Sequence, residues 1–261
     1  MRDLRAAIVF LTRVPVPLNV PPAADGSPGT PSLTAAVPWF PVVGALVGAV
    51  VGGAAAGLLH VVPPLVAASI AVLLGVLITG AFHEDGLADV ADAFAGGWTP
   101  AERMRILKDP LHGSYGVAAL CGSIVIRVAC IASLGASPAV ASATVIAAHA
   151  LGRSAAVALM STSPTASPDG LGAEYARTLR RGPAAAGVAS GVVIAAVAAG
   201  WWVGPFVLAA LVAVVVVGWL ARRKIGGVTG DVLGTVEQVA ECLVLVVATG
   251  LASRYSLWWS R

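Results

Sequence analysis

Long apolar stretches alternate with short polar ones along nearly the whole chain. A helix that crosses a bilayer needs about 20 mainly apolar residues, and this length predicts about seven spanning helices, within a range of about six to eight. Because the polar connections are too short to fold alone, we expect one all-α membrane domain over residues 1–261. The predicted spans are residues 37–60, 64–82, 114–135, 138–160, 184–203, 205–220 and 232–252.

The polar regions between these spans differ in length and character. Residues 2–12 place charges beside a short apolar run, which predicts a helix lying in the membrane interface. Residues 19–32 are rich in Pro, Gly and Ala and predict a flexible loop. The connections after the second and fourth spans are the longest, and they have the most room for chemistry.

Composition excludes a soluble globular protein. Hydrophobic residues make up 58% of the chain and charged residues 11%, with a mean hydropathy of +0.89. A soluble domain carries about 25% charge, so lipid must cover much of this surface. Gly44 and Gly48 have the spacing typical of close packing between membrane helices.

The placement of the 16 Lys and Arg residues predicts the orientation. They concentrate in alternate connections, as expected for cytoplasmic loops, so the N-terminus is predicted to be cytoplasmic. A net charge of +3 therefore reflects topology and does not predict nucleic-acid binding. The clusters are Arg2, Arg5 and Arg13; Arg103, Arg105 and Lys108; Arg177, Arg180 and Arg181; and Arg222, Arg223 and Lys224.

An acidic segment follows the second span. Asp85, Asp89 and Asp92 are spaced i, i+4, i+7 and would form one carboxylate stripe on a helix. Like charges this close need a cation to stay ionised, and carboxylate oxygens suit Mg²⁺ or Mn²⁺. Since Mg²⁺ is commonly completed by substrate phosphates, the stripe predicts a metal-bound diphosphate substrate. The alternative is a solvated amphipathic helix.

A second candidate segment precedes the third span. Lys108 could neutralise a phosphate, Asp109 adds an acid, and Gly113 permits close backbone approach to a ligand. His112 could act as a base. The alternative is a capped and anchored helix start.

The last basic loop forms a third segment. Gly226, Gly227, Thr229 and Gly230 could cradle an anion, although a Walker motif is absent. Asp231 begins the seventh span on the same predicted side as Asp85, and it is a candidate second metal ligand or base.

Acids continue into that span. Glu237 and Glu241 lie within its apolar stretch, where a functional role and pairing with Arg127 or Arg153 are both open.

Five segments together resemble the cobalamin synthase family. They are FLTRVPVP at 10–17, WFPVVGALVG at 39–48, GAFHEDGLADVADAF at 80–94, LKDPLHGSYGV at 107–117 and GGVTGDVLGTVEQVAE at 226–241. The resemblance covers nearly the whole chain in the family's order. Many relatives have Leu in place of Glu84 and Ser-Arg-Ile in place of Pro110-Leu111-His112, so Glu84 and His112 are left outside the expected site.

The resemblance implies a bacterial inner-membrane, Mg²⁺-dependent enzyme with its active site at the cytoplasmic face. Such an enzyme joins adenosylcobinamide-GDP to α-ribazole, or to α-ribazole 5′-phosphate, and releases GMP. The expected partners are these substrates and the lipid bilayer. Self-association and contact with other cobamide-assembly enzymes stay open. Asp85, Asp89, Asp92, Lys108 and Asp231 are the expected catalytic residues.

Two alternative functions belong to other classes of membrane protein. A CDP-alcohol phosphotransferase also uses an Asp-rich helix, but its pattern requires Arg where this chain has Asp89, and its later acids are spaced differently. An ion-coupled transporter could use Glu237, Glu241 and Arg153 within the membrane. Internal repeats, which would favour a transporter, are not evident.

Overall fold

The computed structural model describes residues 2–17, 33–167 and 179–257. Within these ranges the regular secondary structure is α-helix, apart from two 3-10 turns and an isolated bridge between Thr165 and Val228, which confirms the all-α prediction. The predicted loop at 19–32 and Arg177 lie outside the described residues. The helices are α1 Arg2–Leu11, α2 Leu33–Ala36, α3 Phe40–Leu58, α4 Pro64–Thr79, α5 Phe82–Gly96, α6 Pro100–Ile106, α7 Ser114–Ser133, α8 Pro138–Thr162, α9 Arg181–Ala199, α10 Val203–Ile225 and α11 Gly230–Ala252.

Several helical stretches are long and apolar enough to cross a membrane. The described residues contain five, and a sixth if α4 and α5, which meet at 90°, count as one broken span. The chain is thus a membrane protein, while the count of seven stays a prediction. The five are Thr34–Leu58, Ser114–Ser133, Pro138–Thr162, Arg181–Ile225 and Gly230–Ala252.

Helix α8 is the centre of the bundle, because 89% of its most apolar window is buried. Helix α3 runs antiparallel to it in close contact. A Cβ added at Gly48 would lie 2.9 Å from the Cα of Ile146, and one added at Gly52 would lie 2.9 Å from the Cα of Ser142. The predicted packing role of the Gly44 and Gly48 spacing is confirmed, since a larger side chain would force the backbones apart.

The Arg181–Ile225 stretch is a hairpin of two antiparallel helices. Gly187 in α9 approaches Pro38, just before α3, so that an added Cβ would lie 3.0 Å from the Pro38 Cα. Arg222 near the end of α10 donates to the Thr162 carbonyl at the end of α8, 2.7 Å away. Since the start of α3 adjoins the end of α8, α9 begins and α10 ends at the same end of the bundle.

Basic side chains tie helix termini together at that end. Lys224 Nζ donates to the Phe94 carbonyl at 3.1 Å, and Arg103 Nη1 donates to the Lys224 carbonyl at 3.0 Å. Cations here satisfy the carbonyls that helix C-termini leave unpaired. The same cations let α10 run to Ile225, five residues beyond the predicted end at 220.

The turn between α4 and α5 sets the direction of α5, which carries the acidic segment. Helix α4 ends at Thr79 and not at the predicted residue 82, because Gly80 and Ala81 both have positive φ, at 67° and 59°. Gly80 adopts this conformation readily, whereas Ala81 is strained. The resulting 90° bend lays α5 against α7 and α11.

Candidate active site

Four aspartates and one histidine form the surface cluster, which we define as Asp85, Asp89, Asp92, His112 and Asp231. Helix α5 supplies the first three, and Asp85 lies in its first turn, where a carboxylate is stabilised by the helix dipole. The Asp85 side chain is 64% exposed and that of Asp89 is 14% exposed, whereas Asp92 is buried. The predicted stripe therefore runs from solvent into the protein.

His112 lies between two of these acids. Its Nε2 is 3.4 Å from Asp85 Oδ1 and its Nδ1 is 3.3 Å from Asp89 Oδ1. Comparison with the residues of relatives had left His112 outside the expected site. His112 lies close to these acids because the loop before α7 folds over α5. No sequence pattern predicts that contact.

Asp92 holds the start of α7. Its Oδ2 accepts from the Gly113 amide at 2.6 Å, and its Oδ1 accepts from the Gly116 amide at 2.9 Å. These amides are unpaired at a helix N-terminus, so the carboxylate caps them. A Cβ on Gly113 would lie 2.7 Å from Asp92 Oδ1, which explains the glycine there. The contacts give Gly113 and Asp92 a structural task, and their substrate and metal roles stay predictions.

Asp231 joins the cluster from the other acidic segment. A Cβ at Gly86 would lie 2.9 Å from the Asp231 Cα, so α5 and α11 touch backbone to backbone. The Thr235 hydroxyl donates to the Gly86 carbonyl at 3.0 Å, and the Thr229 hydroxyl donates to Asp231 Oδ2 at 3.2 Å. The structure thus brings together two segments that are far apart in the sequence.

The surface cluster has four acidic side chains and one histidine, so it carries an excess of negative charge. Burial, followed by repulsion from Asp85 and Asp231, raises the pKa of Asp89 to about 6, although His112 opposes the shift. Among the described residues, no Lys or Arg forms an ion pair with a cluster aspartate. A hard cation would relieve this repulsion.

Other residues predicted for the site lie in different surroundings. Lys108 is exposed and forms no ion pair within the described ranges, and Asp109 Oδ1 accepts from the nearby Leu111 amide at 3.1 Å. The structure does not show Lys108 or Asp109 in contact with the surface cluster. Their substrate roles stay predictions.

The glycine loop before α11 packs against the segment that follows α8. Gly226 ends α10 with φ 82°, and a Cβ on Gly227 would lie 2.6 Å from the Thr165 carbonyl carbon. Gly230 faces open space, and Thr229 caps α11. Gly227 therefore allows a close backbone contact, whereas Gly226 and Gly230 at the two ends of the loop face open space.

A second group of charges lies deeper in the bundle, and we call it the inner cluster: Glu84, Glu237, Glu241, Arg127, Arg153 and His149. All six are buried. Arg127 Nη1 lies 3.0 Å from Glu84 Oε1 and 3.7 Å from Glu241 Oε2. Arg153 pairs with both Glu237 and Glu241, and His149 Nδ1 is 2.5 Å from Glu241 Oε1. The pairing of the intramembrane glutamates with Arg127 or Arg153, one of two alternatives, is confirmed.

The two clusters differ as sites for a divalent cation. Within the described residues, three ligand atoms within 4.8 Å of one another occur at His149, Glu237 and Glu241. Arg153 already pairs with both of these glutamates, so its guanidinium would repel a metal ion. The surface cluster does not offer such a close triple. However, Mg²⁺ usually binds one or two carboxylates and fills its other positions with water and phosphate, so Asp85, Asp89 and Asp231 suit it better.

A cavity of about 220 Å³ opens beside the surface cluster, and we call it the aromatic cavity. Phe10, Phe40 and Phe82 line one part of it. Asp85 and Asp231 also line it, so the two sites are continuous. No sequence pattern predicts this cavity, because its walls come from separate helices.

Comparisons with known proteins show the family of this chain. Residues 3–249 match the family model described as cobalamin-5-phosphate synthase. This chain belongs to the cobalamin-5-phosphate synthase family. Family membership makes the chain a transferase of cobalamin biosynthesis, as the resemblance predicted. This assignment replaces the two alternatives, a CDP-alcohol phosphotransferase and an ion-coupled transporter. No solved structure matches the chain.

Several curated relatives of this cobalamin-5-phosphate synthase family member cover nearly the whole chain. The adenosylcobinamide-GDP ribazoletransferase of Ralstonia nicotianae is 38% identical over 94% of both chains. The enzyme of the same name from Bradyrhizobium diazoefficiens is 39% identical over 94% of this chain and 92% of its own. That of Pseudomonas aeruginosa is 38% identical over 94% of this chain and 97% of its own.

Proposed function

We propose that this enzyme transfers the adenosylcobinamide-phosphate group from adenosylcobinamide-GDP to α-ribazole or α-ribazole 5′-phosphate. The products would be adenosylcobalamin, or its 5′-phosphate, and GMP. Family membership and the names of the relatives support the reaction class. The observation that carries the site assignment is the surface cluster, where Asp85, Asp89 and Asp231 meet without a Lys or Arg partner among the described residues.

In the proposed mechanism, Asp85 and Asp89 would hold Mg²⁺, with Mn²⁺ as a substitute, and Asp231 would be a further ligand or the base. When bound, the ion would offset the negative charge of the diphosphate. A cluster carboxylate removes the proton from the ribazole 3′-hydroxyl, and that oxygen attacks the cobinamide-side phosphorus. The bond to the bridging oxygen breaks, and GMP leaves with that oxygen.

Other residues assist this centre in the proposal. Asp92 positions the start of α7, and with it His112, through its bonds to Gly113 and Gly116. Lys108 draws near when the diphosphate binds and offsets charge on the leaving GMP. The open Gly230 end of the last loop provides backbone groups for a phosphate.

We further propose seven spans and a cytoplasmic surface cluster. Helices α3, α4, α7, α8, α9, α10 and α11 would each cross once, since α9 and α10 form a hairpin. The basic side chains Arg103, Arg222 and Lys224 lie at the cluster's end of the bundle, and such residues concentrate on the cytoplasmic side of the inner membrane. Cysteines introduced at Trp98 and Val61 in a cysteine-free background should label from opposite sides of the membrane.

The reaction is tested with purified enzyme in lipid nanodiscs. Adenosylcobinamide-GDP is supplied with α-ribazole or with its 5′-phosphate, and GMP release is followed with and without Mg²⁺. Metal-dependent GMP release together with a cobalamin product supports the proposal. Release that does not respond to removal of divalent metal contradicts the metal assignment, and an absence of GMP under all conditions contradicts the function.

A further inference from the structure

The aromatic cavity has a wall of three phenylalanines from three separate helices. The rings of Phe10 and Phe40 stack with centroids 5.5 Å apart and 11° between their planes. Phe82 meets Phe10 edge-on, with centroids 5.3 Å apart. Flat aromatic surfaces of this kind suit a planar ring, because stacking on a side chain accepts any base that has a π-face.

Polar atoms lie elsewhere on the cavity lining. His83 and Arg153 both line the cavity and are buried. His83 Nδ1 and Arg153 Nε have no hydrogen-bond partner among the described residues, although His83 Nδ1 lies 3.8 Å from Glu237 Oε2. Both atoms are covered by protein, so the cavity wall offers an occupant mainly apolar contacts, with Asp85 and Asp231 on the side of the surface cluster.

The size of the cavity limits what can enter. Its volume is about 220 Å³, below the roughly 300–1,000 Å³ of pockets that enclose a whole drug-sized ligand. A corrinoid is far too large for this space, whereas a bicyclic aromatic base is of the right scale. Both proposed substrates carry such a base, the acceptor nucleoside its own and the donor its guanine, so size does not choose between them. Only the acceptor's sugar carries the hydroxyl that reacts, and the position of the cavity therefore decides the choice.

The position of the cavity relates it to the chemistry. Asp85 and Asp231 belong both to the cavity lining and to the surface cluster. A base seated against Phe10 and Phe82 would therefore place its attached sugar beside these carboxylates. That arrangement brings a sugar hydroxyl to the groups that must remove its proton.

We propose that the aromatic cavity binds the heteroaromatic base of the acceptor nucleoside and so orients its ribose toward Asp231. This inference rests on the proposed function, because the acceptor's identity comes from there. A lipid acyl chain is the competing occupant. It would contact the phenylalanines but would place no sugar hydroxyl beside Asp85 and Asp231.

The test measures binding of α-ribazole alone by calorimetry, without adenosylcobinamide-GDP, to the full-length enzyme in nanodiscs. Phe82→Leu keeps apolar volume but removes a ring, and it should fold because Phe82 is 45% exposed. It should weaken α-ribazole binding about tenfold, the scale of one base–aromatic contact. Trp219→Leu, at a 54% exposed aromatic on α10, is the matched control and should bind like the unmodified enzyme.

Two further measurements locate the effect. Benzimidazole should compete with α-ribazole and should not compete with adenosylcobinamide-GDP. Ala156→Met, which adds volume to the cavity, should lower α-ribazole affinity while KM for adenosylcobinamide-GDP stays unchanged. Equal weakening of both substrates in either variant would contradict a base-specific site.

The outcomes separate this inference from the proposed function. If the unmodified enzyme releases GMP but Phe82→Leu binds α-ribazole normally, the cavity assignment is wrong and the reaction stands. If α-ribazole binds and Phe82 matters, yet no GMP forms, the reaction is wrong and the base site stands. Co-purified lipid that α-ribazole fails to displace, seen by native mass spectrometry, would overturn the cavity assignment in favour of an acyl chain.

Discussion

The acids of the surface cluster and of the inner cluster come from the same two helices, α5 and α11, yet their negative charge is compensated in different ways. Adjacent residues of α5 divide between them, since Asp85 is exposed and Glu84 is buried against Arg127. On α11, Asp231 lies at the start, while Glu237 and Glu241 lie deeper, against Arg153. Where guanidinium groups compensate the acids, the acids hold helices together. Where no such partner is present among the described residues, the acids can bind a cation.

The substitution with the largest expected effect is Asp89→Asn in the surface cluster. It removes a charge from the surface cluster with little change in shape, and we expect GMP release to fall by about 10²- to 10³-fold or more, as when one transition-state contact is lost. Thermal unfolding should change little, because Asp89 pairs with no Arg or Lys in the described ranges. Near-normal turnover would remove the metal assignment. Glu102→Gln, at an exposed capping residue of α6, is the control.

A buried charge in the inner cluster should affect stability more than chemistry. Arg153→Met leaves Glu237 and Glu241 without their guanidinium partner, and breaking such a buried pair costs about 3–5 kcal/mol of unfolding free energy. The measurement is thermal unfolding in detergent. The triple variant Arg153→Met, Glu237→Gln, Glu241→Gln should recover part of the loss. A triple variant less stable than the single one would show that compensation of charge is not the reason for the pairing.

The contact between the two acidic helices can be tested at a glycine. Gly86→Ala would place a Cβ 2.8 Å from the Asp231 carbonyl oxygen, and overpacking of this kind costs about 1–3 kcal/mol. Moving Asp231 away from α5 should also reduce turnover. Gly96→Ala on the same helix is the matched control, since its Cβ would meet nothing within 4 Å. If Gly86→Ala and Gly96→Ala have the same unfolding free energy and the same rate of GMP release, the close approach of α5 and α11 does not matter for function.

The smallest expected effect concerns His112. In its cationic form this residue competes with a metal ion for Asp85 and Asp89, and partly exposed pairs are worth about 0.2–1 kcal/mol. His112→Gln should therefore lower the half-saturating Mg²⁺ concentration by about two- to fivefold. A fall in kcat of more than about 100-fold would instead identify His112 as a proton-transfer group. His60→Gln, in the turn after α3, provides the comparison.

Local patterns predicted much of this site, because their physics lies within short segments. Helical spacing placed Asp85, Asp89 and Asp92 on one face of α5, and the distribution of basic residues grouped Asp231 with Asp85 on one side. His112 was left out, since its place depends on a loop folding over another helix. Lys108 was included for its charge, but its side chain is exposed and unpaired among the described residues.

The sequence by itself determined that the protein lies in lipid, that it is helical, and that it carries an acidic segment suited to metal chemistry. Apolar stretches of about 20 residues require lipid, and an acidic stripe without nearby lysine predicts a bound cation. Only the tertiary structure decided which acids are compensated and which are not. Glu84 and Asp85 are chain neighbours, and the direction in which each side chain points depends on the 90° bend at Gly80 and Ala81. The aromatic cavity likewise exists only because three helices bring Phe10, Phe40 and Phe82 together beside Asp231.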